Sequence, residues 1–148
     1  MKKLITLFLL VLLFQNCNNE QSQQPSAQED ENFTSERKEG KWTTDFETAQ
    51  ELKGMRNTIE NFTLLNRKKF ENLKAYQEFG DLMQMHVERV TTYCKLDPDT
   101  KNLLCKKLDK VKAEVETLHR DDMEKSKEAV ANINNILADI DSAFTYMN

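Results

Sequence analysis

The run Tyr93-Cys94-Lys95-Leu96-Asp97-Pro98-Asp99-Thr100 separates two long segments of apolar periodicity, and this reversal constrains the chain more than any other stretch. Asp97 carries a side chain that caps a helix, Pro98 supplies the fixed φ of a first helical position, and Asp99 adds negative charge where the helix dipole favours it. A helix is therefore predicted to begin at Pro98, and the one before it to end near Tyr93. Everything after Thr44 then belongs to one arm or the other of a hairpin.

In the first arm Thr44 and Glu47 have the spacing of a capping box, so a helix is predicted to start there. Beyond it a seven-residue frame collects Leu52, Met55, Ile59, Phe62, Leu73, Tyr76, Met83, Val87, Val90 and Cys94 as core positions, with misses at Asn66, Lys69 and Gly80. Gly54 and Gly80 each weaken a helix by about 1 kcal/mol relative to Ala without ending it. In the second arm Leu104, Leu108, Val111, Val115 and Leu118 step by four and three, as do Val130, Ile133, Leu137, Ile140, Phe144 and Met147. The polar run His119 to Lys127 between them shifts the frame by one residue, which reads as a skip in a heptad because no Gly or Pro is present.

These patterns give an all-α fold. The favoured architecture is an antiparallel hairpin or coiled coil of two long helices, each roughly 75 Å if unbroken at about 1.5 Å per residue. The alternative is a four-helix bundle in which both arms bend at polar patches, Asn66-Arg67-Lys68-Lys69 in the first and the region of Asp121 and Asp122 in the second. In the hairpin those two patches lie level and set the register through opposed charges. Two lone helices make a thin core, so a second copy or another helical partner is expected to cover it.

Composition narrows the function classes. Charged residues make up 31% of the chain but net only −4, so there is no basic footprint for nucleic acid. Three Gly and two Pro are too few for the turns of an all-β fold.

The amino terminus carries an address. Lys2 and Lys3 precede the apolar run Leu4 to Phe14, which is too short to span a bilayer, for which about 20 residues are needed, but has the length of a signal-peptide core. The run ends at Phe14-Gln15-Asn16-Cys17 and turns abruptly polar. This resembles a bacterial lipoprotein precursor, in which the thiol after the apolar core is acylated and becomes the new amino terminus. Phe14 and Asn16 depart from the strict lipobox, and the looser box is similar to those of spirochaetes. The resemblance implies a signal peptide over 1–16 and lipidation at Cys17, hence a membrane anchor of lipid rather than a transmembrane helix. Asn18 in place of Asp points to the outer membrane or cell surface, with the periplasmic face of a membrane as the alternative. Residues 17–41, rich in Gln, Ser, Asn and Glu, read as a disordered tether, and 42–148 as the helical domain.

With Cys17 acylated, Cys94 and Cys105 remain on either side of the reversal in an oxidising compartment. A disulfide between them is the leading reading, worth up to about 3 kcal/mol for a loop of that size, and a pair of buried thiols is the other. In ideal helices the two would be offset along the axis, Cys94 standing before the cap and Cys105 eight residues after it. Zinc does not suit this spacing.

No catalytic constellation is visible. The two histidines, His86 and His119, lie on different arms; His86 reads as a helix-surface residue, and His119 with Asp122 one turn on reads as a solvated face rather than a ligand pair. There is no phosphate-binding Gly-rich loop, and no metal or cofactor is expected. The layout of leader, tether and helical rod resembles the helical surface lipoproteins of spirochaetes, which implies a non-enzymatic, surface-exposed binder of a host protein such as a complement regulator or matrix component. Alternatives are a periplasmic structural or assembly lipoprotein, or a small exclusion or immunity lipoprotein. A helical partner, or a second copy in a homodimer, would meet apolar residues that the hairpin leaves uncovered, for which Phe46, Phe70, Phe79 and Leu82 are the candidates.

Overall fold

Asp97 and Pro98 start a helix where the spacing predicts one. In the computed structural model, which describes residues 33–66 and 72–146, the Asp97 carboxylate accepts from the Thr100 amide at 3.1 Å and Pro98 occupies the first turn. Among the described residues four helices of 21 residues each follow one another: α1 (Phe46–Asn66), α2 (Leu73–Tyr93), α3 (Pro98–Leu118) and α4 (Met123–Ala143). Each is about 32 Å long at 1.5 Å per residue. The fold is all-α, and the four-helix alternative holds in place of two unbroken helices.

Each arm is two helices rather than one, and the second arm reverses at its polar patch. Between α3 and α4 the chain turns through His119–Asp122 without Gly or Pro. Asp122 caps α4 by accepting from the Lys125 amide at 3.1 Å, and the Ser126 amide and hydroxyl both reach the Asp122 carbonyl at 2.9 Å. The one-residue frame shift is thus a turn, not a heptad skip. Between α1 and α2, residues 67–71 lie outside the described residues, and Asn72 caps α2 through the Ala75 amide at 2.9 Å. Folding each arm in half lets four apolar stripes share one core, which removes the thin seam of two lone helices.

The predicted frame lines that core. Leu52, Met55, Ile59, Tyr76, Met83, Val87, Val90 and Cys94 are buried, as are Leu104, Leu108, Val111, Val115, Leu118, Ile133, Leu137, Ile140 and Phe144. Phe62 and Val130 pack against it and Leu73 is half-buried, while Met147 lies outside the described residues. Helices adjacent in sequence pack most extensively, and α1 meets α4 over a smaller area. Arg56 of α1 pins that narrower seam, pairing with Asp141 and donating to Asn134 Oδ1 at 3.1 Å.

A small sheet closes the end of the bundle where the chain enters and leaves. Strands β1 (Arg37–Lys38) and β2 (Lys41–Thr43) form a hairpin whose two turn residues, Glu39 and Gly40, have φ of 51° and 83°. Positive φ at both positions is the geometry that matches strand twist in a two-residue turn. After α4, β3 (Phe144–Thr145) runs parallel to β2, pairing Trp42 with Phe144 and Thr43 with Thr145. Phe33 also packs on the core. Folded structure therefore takes in residues 33–41, the last part of the stretch read as tether.

Two local expectations are corrected. The cap of α1 is Asp45, not Thr44: Asp45 accepts from the Thr48 amide at 2.9 Å and hydroxyl at 2.8 Å, and also from the Lys95 amide at 3.2 Å. Thr44 turns inward and bonds the Thr145 carbonyl through its amide at 3.0 Å. The disulfide is likewise not formed; Cys94 and Cys105 are free thiols. Cys94 is the residue that ends α2, and Cys105 lies seven residues into α3, about 10 Å along its axis from Pro98 at 1.5 Å per residue. The offset expected in ideal helices therefore stands, and the Cys94 amide still bonds the Val90 carbonyl at 3.0 Å.

Candidate functional site

Glu51, Gly54 and Thr58 recur at three and four residues, so they share one face of α1. Gly54, with no side chain, leaves a slot on that face, and the imidazole of His86 from α2 fills it. A Cβ built on Gly54 would stand 2.6 Å from His86 Cε1. The ring is held at both nitrogens: Nδ1 lies 2.7 Å from Glu51 Oε2 and Nε2 lies 3.3 Å from Thr58 Oγ1. Arg89, one turn after His86, approaches the other oxygen of Glu51 at 3.5 Å. The His86 side chain is only 13% exposed, so it is an interhelical wedge and not the surface residue that its position beside Val87 suggests.

Thr58 also opens on a cleft of about 670 Å³ between α1 and α2, toward the end where these helices join. Phe62, Leu65, Ala75, Phe79 and Leu82 give it apolar walls, and Thr58, Asn61, Asn72, Lys74 and Glu78 supply polar groups. Lys74 and Glu78 face each other at 3.6 Å, so the rim carries no net charge from this pair. Phe62 stacks on Phe79 with centroids 4.5 Å apart and meets Tyr76 edge-on at 5.1 Å, which makes this end of the cleft a fixed aromatic surface.

The four residues singled out as partner contacts separate here. Leu82 lies on the cleft and is 48% exposed. Phe79 is 2% exposed and belongs to the core, its outer edge forming part of the cleft wall, so it is not a surface anchor. Phe46 is exposed at the first residue of α1, at the opposite end of that helix. Phe70 lies outside the described residues. Leu64 and Leu65, at 58% and 59% exposed, were not among the four. Two consecutive leucines at a helix end cannot both face one core, and that was the available signal.

The remaining candidates have structural surroundings. Burial pushes the Cys94 thiol above its ordinary range. Cys105 is half-buried on α3. His119, at the end of α3, faces Asp81 of α2 at 3.5 Å and lies over Gly80, while Asp122 is taken up in capping α4; the two do not form a ligand pair. Among the described residues no group of three or more His, Cys, Asp or Glu side chains is placed to hold a metal ion, and no helix is long and apolar enough to cross a membrane. Cys17 lies outside the described residues. Comparison with protein-family models, curated proteins and solved structures gives no match, so the reading of this site rests on its own geometry.

Proposed function

We propose that the chain is a lipid-anchored, surface-exposed helical binding protein that engages a protein ligand along the α1–α2 cleft. The observation that carries this reading is the cleft itself, an open apolar groove flanked by the exposed side chains of Leu65 and Leu82. Exposed apolar residues gathered at one groove mark interaction sites more often than scattered ones do. The leader supplies the address: a signal peptide over residues 1–16 placed directly before Cys17, followed by a polar stretch that gives the bundle reach from the lipid. Host complement regulators and matrix components are the ligand classes that the spirochaete-like layout implies.

Protease treatment of intact cells, with permeabilised cells as the control for cleavability, tests the placement. Digestion in intact cells supports the exposed binder. Protection in intact cells with cleavage after permeabilisation refutes it and sends the search to periplasmic partners. A Cys17→Ala chain that still fractionates with membranes would refute the lipid anchor.

A further inference from the structure

We propose that the Glu51–His86–Thr58 chain makes Thr58 an acyl-accepting nucleophile serving the cleft, with esters of small apolar acids as its substrates. This goes beyond the binding role and does not depend on the anchor. Its first support is that the imidazole is contacted at both nitrogens. An ionised carboxylate only accepts, so in the neutral imidazole Nδ1 carries the hydrogen toward Glu51 and the Nε2 lone pair faces the Thr58 hydroxyl. That is the order of acid, base and nucleophile in hydroxyl-based acyl transfer. The second support is a contrast within the chain. Thr63, Thr92 and Thr117 donate to the carbonyl four residues back, at 2.8, 2.8 and 3.3 Å, as helical threonines commonly do. Thr58 Oγ1 instead has its contact across the helix interface, 3.3 Å from the imidazole Nε2.

The third support is location. Thr58 lines a cleft whose walls, Phe62, Leu65 and Leu82 among them, suit an apolar acyl chain, and Asn61 lines the same cleft three residues on. Its side-chain amide is a donor of the kind that stabilises an oxyanion. In the first half-reaction Thr58 Oγ attacks the ester carbonyl carbon and its proton passes to His86 Nε2. The tetrahedral intermediate collapses, the ester C–O bond breaks, and His86 returns the proton to the departing alcohol. Water then attacks the acyl-Thr58 ester with His86 as base, and the proton goes back to Thr58 Oγ as the acid leaves. Glu51 is a positioning residue that holds the ring tautomer. The spacing of the sequence hid this arrangement because the base stands on a different helix from the other two groups.

The test uses the full chain with p-nitrophenyl acetate and butyrate, following nitrophenolate release and the intact mass. The expected result is release above the buffer rate and one acyl adduct mapped to Thr58. Both should vanish in Thr58→Val, which keeps the side-chain volume, and persist in Thr58→Ser. His86→Gln should lower the rate by about 10²- to 10⁴-fold, the usual span of general-base assistance. Glu51→Gln should change the pH–rate profile, which a purely structural role would leave unmoved. Release equal in Thr58→Val and the native chain, or adducts confined to lysines, overturns the proposal. So does the absence of any release above buffer from a chain whose helical circular dichroism is intact.

Discussion

Alanine at Gly54 should destabilise this protein, although the same change at an ordinary helical glycine is favourable by about 1 kcal/mol. The added Cβ would lie 2.6 Å from His86 Cε1, 3.1 Å from Nδ1 and 3.3 Å from Nε2. A flexible side chain could swing away at little cost, but this ring is fastened at both nitrogens, to Glu51 and Thr58. Either the helices part, at an overpacking cost of about 1–3 kcal/mol, or the ring leaves and forfeits two hydrogen bonds of about 1 kcal/mol each. After the helical gain of about 1 kcal/mol is subtracted, a net loss of up to about 2 kcal/mol remains. Urea unfolding followed by helical circular dichroism measures it, for the single variants Gly54→Ala and His86→Ala and for the double variant. Once the ring is removed, Gly54→Ala should stabilise by up to about 1 kcal/mol, so its sign inverts and the coupling is about 1–3 kcal/mol. A stabilising Gly54→Ala in the presence of His86, or effects that simply add, would show that the ring does not occupy the slot.

Other consequences are as direct. Phe79→Ala should cost about 3–5 kcal/mol as a core deletion, whereas Phe46→Ala at an exposed helix start should stay within about 0.5 kcal/mol of neutral; thermal unfolding of the two separates core from surface. The Asp97 and Asp122 carboxyls are held below the ordinary value of 3.8, chiefly by the backbone amides of Thr100 and Lys125. Their contribution is therefore fully present above that value and is lost as the pH falls through the depressed one, so Asp97→Asn with Asp122→Asn should flatten the acid limb of a stability–pH curve while leaving neutral pH little changed. In the native state an alkylating reagent should modify Cys105 faster than the buried Cys94. Non-reducing peptide mapping should recover no Cys94–Cys105 cross-link.

The core was legible because period is a property of neighbouring residues. Leu52, Met55, Met83, Val87, Leu108 and Ile133 repeat at three and four whether a helix runs for 21 residues or twice that, and all are buried. The same locality hid the number of helices. A run such as His119-Arg120-Asp121-Asp122 lacks the Gly or Pro that usually marks a reversal, and its only stop signal is an aspartate, which also sits comfortably on a solvated helix face. What decides in favour of the turn is not local. Two helices bury one stripe each against a single neighbour, whereas four bury theirs against several, and that gain outweighs two extra sets of uncapped helix ends. Asp122 and Asn72 supply the caps that make the reversals affordable.

The candidate site was less legible, for a reason visible in its parts. Glu51-x-x-Gly54-x-x-x-Thr58 contains no residue that stands out alone, and Gly54 read only as a weakness in the helix. Its meaning appears when α2 is laid beside it, because the absent side chain is what admits His86. Gly80 repeats the device at the next interface: a Cβ there would stand 3.3 Å from His119 Nε2 and 3.3 Å from Leu118 Cβ. In each case a helical glycine of one element receives a histidine of the next, and each histidine faces a carboxylate on the glycine's own helix, Glu51 or Asp81. The two pairs differ in enclosure, since the His119 side chain is 38% exposed and that of His86 is 13% exposed. Only the enclosed one has a hydroxyl on its far nitrogen and an apolar cleft beyond it. A glycine within a strong heptad, three residues after an acid and four before a threonine, is thus a slot awaiting a ring, and the ring can be identified only once the helices are paired.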